Sequence, residues 1–140
     1  MKEKLITFKV LLLGDKSVGK NSFMLRFCDD KFEEDSLTRI GLDARNKFLK
    51  RGDKKIELHI WGTAGHERFK SIAKNLYKSV NGILLMYDIS KKDSFNGIKG
   101  FINDINEKVD ISKIALIVVG NKCDLPDDEK QVDEQDKNFF

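Results

Sequence analysis

The stretch GDKSVGKNS, Gly14 to Ser22, holds residue types that bind phosphate. Glycine, four residues, then Gly-Lys is the spacing of a loop whose successive backbone N–H groups cradle phosphate oxygens. The following helix adds the positive end of its dipole. Gly14, Gly19 and Lys20 fit that pattern, with Asp15, Lys16, Ser17 and Val18 between them and Ser22 just beyond. Lys20 is expected to reach the outer phosphates. The position that calls for a hydroxyl, the ligand for Mg²⁺, holds Asn21 instead.

A second group of chemistry-bearing residues is NKCD, Asn121 to Asp124. A carboxylate accepts two hydrogen bonds at once from the ring N–H and amino group of guanine. Adenine lacks that donor pair, so Asp124 selects guanine. Asn121 and Lys122 stand beside it in the same short stretch. Four such residues alone also make an ordinary turn; a phosphate loop upstream gives them their meaning.

The elements that must position these loops alternate. Leu5–Leu13 is an apolar run read as a strand, and Lys20–Cys28 carries Phe23, Met24 and Phe27 at helical spacing. Asp29–Asp43 is polar and unpatterned, a long loop of the sort that is often functional. Ala44–Lys50 and Lys55–Trp61 read as a hairpin across Arg51-Gly52-Asp53, with Ile56, Leu58 and Ile60 on its buried face and His59 solvated. Glu67–Ser79 reads as an irregular helix. Ile83–Asp88 and Ile114–Gly120 are continuous apolar runs, expected of strands covered on both faces. Asp93-Ser94 is expected to cap a helix through Phe95, Ile98, Phe101, Ile102 and Ile105, and Asp133 to cap another. Strands alternating with helices give an α/β domain with a mostly parallel sheet, and ligands of such sheets bind beyond the carboxyl ends of the strands. Gly14–Lys20, Gly62–Gly65 and Asn121–Asp124 each follow a strand, so all three loops fall on one rim.

A length of 140 residues suits a single domain, 1–140. No apolar run spans a bilayer, and two cysteines, Cys28 and Cys123, make no disulfide framework, so a cytoplasmic setting is expected. The net charge of +3 is mild and interspersed, which argues against a nucleic-acid partner.

Taken together these motifs resemble the small GTPases, most closely the Rab branch. GDKSVGK is similar to their phosphate loop, Ile40–Asp43 to the edge of switch I, and WGTAGHERF (Trp61–Phe69) to switch II. GILLMYDI, DSF and GNKCDL follow in the right order. The resemblance implies a P-loop NTPase-type three-layer fold and a GDP/GTP switch in vesicle traffic. It also implies regulators that read Arg39–Ala44 and Trp61–Leu76. It places Gly65 near the phosphates and His66 at the catalytic position that orients the attacking water.

The departures from that family bear on the chemistry. Asn21 replaces the metal-binding hydroxyl, Gly62 the Asp that holds Mg²⁺ through water, Arg39 the Thr that closes on the metal, and His66 the water-positioning Gln. Mg²⁺ prefers octahedral oxygen ligation; Asn21 is a weak candidate ligand, and Mg²⁺ is expected to bind weakly if at all. The family's aromatic partner positions hold Ala44, Trp61 and Leu76. The family also continues through one more strand and helix and a lipidated tail, so the expectation is a sheet without its final strand and helix and no encoded lipid anchor. Three readings stand at this point. They are a slow GTPase switch, a non-hydrolysing GDP-bound or nucleotide-free scaffold that sequesters partners, and an unstable remnant.

Overall fold

The computed structural model describes residues 4–30, 43–62, 75–133 and 136. Five strands form one sheet: β1 (Lys4–Leu13), β2 (Asp43–Arg51), β3 (Lys54–Gly62), β4 (Gly82–Asp88) and β5 (Ala115–Asn121). Their spatial order is β2-β3-β1-β4-β5. Only the β2–β3 pair is antiparallel; β1 runs parallel to β3 and to β4, and β4 parallel to β5. The expected α/β class with a mostly parallel sheet therefore holds. The parallel register also puts Gly14, Gly62 and Lys122 at one end of the sheet.

Side-chain alternation along β1 divides the core in two. Leu11 and Leu13 point to one face with Ile83, Leu85 and Tyr87, against Phe95 of α2 (Lys92–Asn96) and Ile98, Phe101 and Ile105 of α3 (Ile98–Lys108). Leu12 points to the other, where Met24, Phe23 and Phe27 of α1 (Lys20–Asp29) meet Ile60, Leu58 and Leu84. Each fully buried aliphatic side chain contributes about 1.5–3 kcal/mol. Asp30 stops α1 in the left-handed region at φ 53°, its N–H turned back to the carbonyls of Leu25 and Arg26.

Several expectations change. The run in β5 is not covered on both faces: β5 is a sheet edge, and Ile117 is 55% exposed. An edge strand packs on fewer neighbours, so apolar composition alone overstates its burial. The helix expected through Phe95 and Ile105 is two helices joined at Gly97, with no side-chain cap. Asp93 lies in the first turn, and the Ser94 hydroxyl instead donates toward Lys91 O at 2.7 Å and Asp88 O at 3.1 Å. His59 is half-buried rather than solvated, its Nε2 3.0 Å from Glu57 Oε1. Asp136 N donates to Asp133 Oδ1 at 2.8 Å and Asp133 N to Asp136 Oδ2 at 3.0 Å, but the helix expected beyond Asp133 lies mostly outside the described residues. Glu67–Ser79 lies mostly outside the described residues; Asn75 and Leu76 are helical and Tyr77–Ser79 is a turn. Among the described residues, no helix is long and apolar enough to cross a membrane.

Candidate functional site

The loop between β1 and α1 needs its glycines. Gly14 sits at φ 152° and Gly19 at φ 101°. A Cβ on Gly14 would lie 2.3 Å from Met86 O, and one on Gly19 would lie 2.1 Å from Asn121 Nδ2. Neither separation admits a side chain, so neighbouring elements press on this loop from both sides. Ser17 also takes a left-handed turn, at φ 63°, and Lys16 and Ser17 are exposed at the loop's outer edge. Val18 is buried beneath. Asp15 turns its carboxylate toward the α2–α3 junction, where a Cβ on Gly97 would come within 3.1 Å of Oδ2.

Lys20 opens α1 and folds back under the loop. Its Nζ donates to Gly14 O at 2.6 Å and to Asp15 O at 2.7 Å. An ammonium has three donors, so one remains beyond these two carbonyls. Only 6% of Lys20 is exposed. Burial disfavours its charged form and lowers its pKa to about 8, against a smaller opposite pull from Asp15. Such a group gains from any anion brought beside it. In the next position Asn21 keeps its Nδ2 buried with no hydrogen-bond partner among the described residues, and Ser22 follows half-buried.

The loop after β5 reaches the same place. Asn121 Nδ2 donates to Val18 O at 2.9 Å, and Lys122 Nζ donates to Ser17 O at 3.0 Å. Lys122 takes φ 68° to make that reach. The side chains of two consecutive base-loop residues thus hold two consecutive phosphate-loop carbonyls. Asp124 stands exposed two residues on, and the Cys123 thiol caps Gly120 O at 3.4 Å. Gly62, the last residue of β3, is buried on the same rim. Gly14–Ser22, Asn121 and Lys122 are therefore brought together, with Asp124 farther along the same loop. Gly65, His66 and Arg39 lie outside the described residues, as do most of the Arg39–Ala44 and Trp61–Leu76 stretches; Trp61 and Leu76 pack partly buried against the larger core.

Sequence reasoning passed over Asp88. It is the last residue of β4, fully buried, and pairs in register with Asn121. Its Oδ2 lies 2.8 Å from Lys122 Nζ, while Ser90 gives Oδ1 a backbone N–H at 2.8 Å and a hydroxyl at 2.6 Å. An ionisable residue at the carboxyl end of a buried strand was the available signal.

Known proteins place this architecture. The Ras family model matches residues 9–140. The chain is similar to the GTP-binding protein YPT1 of Saccharomyces cerevisiae, 41% identical over 129 residues, which is 92% of this chain and 61% of that protein. It is similar to the Ras-related protein Rab-3 of Caenorhabditis elegans, 41% identical over 89% of this chain and 56% of the relative. It is similar to the Ras-related protein Rab-1C of Dictyostelium discoideum, 44% identical over 84% and 58%. The chain spans about three fifths of the length of these relatives.

Proposed function

The chain belongs to the Ras family as a Rab-like small GTPase, and from that premise we propose that residues 1–140 form one guanine-nucleotide-binding domain of vesicle traffic, cytoplasmic, holding GDP in preference to GTP and hydrolysing GTP slowly or not at all. The observation that carries nucleotide binding is the double tie from Asn121 and Lys122 to the carbonyls of Val18 and Ser17. It joins a base-reading loop to a phosphate loop in one cradle. In this reading Gly14–Lys20 holds the phosphates with the third donor of Lys20, and Asp124 accepts from the guanine edge. Gly65 adds to the phosphate site, and regulators of traffic engage Arg39–Ala44 and Trp61–Leu76.

The Mg²⁺ that the small-GTPase family implies does not fit the residues described at this site. At the hydroxyl position Asn21 turns its amide nitrogen inward with no acceptor among the described residues; in that orientation the buried atom suits a phosphate oxygen and not a cation. Gly62 brings no side chain to the rim. The four anionic charges of GTP then lack a counter-ion, which favours GDP. His66, a ring with donor and acceptor on fixed sides, is a poor substitute for a flexible amide in orienting water. Weak metal handling thus supports a scaffold or sequestering role over a cycling switch.

Two assays test this. A thermal melt with GDP at a hundredfold excess over its dissociation constant is expected to show a gain of about 2.7 kcal/mol, several degrees, since the ligand binds the native state alone. ADP is expected to leave the transition in place. Single-turnover GTP hydrolysis is expected to stay at the solution rate with or without Mg²⁺; Mg²⁺-dependent turnover would overturn the impaired-hydrolysis reading. Equal shifts from GDP and ADP would overturn the guanine assignment.

A further inference from the structure

We propose that Asp88 is a positioning residue for nucleotide retention, acting through Lys122 to clamp the base loop to the phosphate loop. This rests on the guanine-nucleotide reading above and adds to it a residue outside both motifs. The register sets the arrangement: β4 and β5 run parallel with Asp88 opposite Asn121, so the residue after Asn121 rises directly beside the Asp88 carboxylate. Lys122 there adopts a left-handed backbone, donates its ammonium to Ser17 O at 3.0 Å and forms an ion pair with Asp88, its Nζ 2.8 Å from Oδ2. Of these two partners only Asp88 carries a charge.

Asp88 is itself held rigidly. Both Ser90 donors converge on Oδ1, which leaves Oδ2 aimed at Lys122. Its own backbone N–H donates to the Ser94 hydroxyl at 2.9 Å, which ties the strand end to α2. Burial pushes the carboxyl pKa up, but the hydrogen bonds from Lys122 and Ser90 outweigh it and hold the group below its usual value. The carboxylate is therefore a fixed charge against a side chain with four rotatable bonds, only about a third exposed. Without it Lys122 has one neutral carbonyl to hold it, and Ser17, in a conformation unfavourable for a side chain, loses its restraint. The phosphate loop would open more often and nucleotide would leave faster.

A structural role for Asp88 predicts a different pattern, and a mutant cycle separates the two. The experiment follows release of fluorescently labelled GDP from the parent chain, Asp88→Asn, Lys122→Ala and the double variant. Two side chains in one buried ion pair couple by about two- to a hundredfold in an equilibrium constant. Asp88→Asn is expected to speed release about tenfold in the parent and less than twofold in the Lys122→Ala background. Equal acceleration in both backgrounds would overturn the proposal, since general loosening of β4 acts whatever residue stands at 122. Ser90→Ala, at a half-buried site, keeps the experiment decisive if Asp88→Asn does not fold. It removes one donor to Oδ1 and is expected to speed release about threefold with Lys122 present and not at all without it; an unchanged rate with Lys122 present would overturn the proposal. No labelled GDP bound to the parent chain would defeat the nucleotide reading and this proposal together; bound GDP with release unchanged in Asp88→Asn would defeat this proposal alone.

Discussion

Raising the pH from 7 to 8.5 is expected to weaken GDP binding about fourfold, through one lysine. In the free protein Lys20 has a pKa of about 8, because burial disfavours its charge. A bound diphosphate stabilises that charge and returns the pKa toward 10.5 or above, so affinity requires the protonated form. The protonated fraction of the free protein falls from about nine-tenths at pH 7 to about a quarter at pH 8.5. That ratio gives the fourfold change, about 0.8 kcal/mol. The same linkage requires that binding at pH 8.5 take up about three-quarters of a proton. Isothermal calorimetry in two buffers of different ionisation enthalpy measures both quantities, in a range that leaves the guanine ring un-ionised. The Lys20→Arg variant is the control, because its guanidinium does not titrate there. A flat affinity in the parent chain, or no proton uptake, would refute the reasoning. The stability of the free protein has the opposite slope. Between pH 8 and 9.5 the unfolded chain holds the proton that the native state releases, so stability rises by about 1.5 kcal/mol relative to a Lys20→Met variant.

Four other outcomes are expected. Asp124→Ala is exposed and should leave the melting temperature unchanged while lowering GDP affinity about ten- to a hundredfold and abolishing discrimination against ADP, read by competition binding. Gly19→Ala places a Cβ 2.1 Å from Asn121 Nδ2 at a positive φ, so it should break the tie to Val18 O and cost about 1–3 kcal/mol in a denaturant titration. Ile105→Ala, at a fully buried position in the larger core, should cost about 2–5 kcal/mol with no change in the ratio of GDP to ADP affinity. Asn21→Ser restores the hydroxyl, and GTP binding should become more sensitive to EDTA than in the parent chain.

Much of the fold was legible because local chemistry and tertiary role coincide. Gly14 and Gly19, the latter just before Lys20, take positive φ values that favour glycine, and that requirement shows in the spacing itself. The alternation of Ile56, Leu58 and Ile60 marked β3, and the parallel strands put Gly14, Gly62 and Lys122 on one rim; the rest of the Gly62–Gly65 loop lies outside the described residues. What stayed hidden depends on register and neighbours, which periodicity does not carry. Asp88 looks like a strand-ending acid until β4 is laid against β5 and Lys122 is found beside it. Ser94 looks like a helix cap until its hydroxyl is seen bridging Lys91 and Asp88. Ile114–Gly120 looks fully covered until β5 proves to be an edge with Ile117 exposed. Of the candidate site, the Gly14–Lys20 and Asn121–Asp124 loops were readable as neighbours, and the buried Asp88 between them was not.

The most direct test of the account is the nucleotide content of the protein as purified. The protein is denatured and the released nucleotide identified by chromatography and counted per chain. The account predicts guanine nucleotide, nearly all GDP, approaching one per chain, and retained after EDTA treatment. No nucleotide on the purified protein, and none taken up when GDP and Mg²⁺ are supplied, would contradict it: the cradle formed by Lys20, Asn121 and Lys122 would then be a fold feature without a ligand.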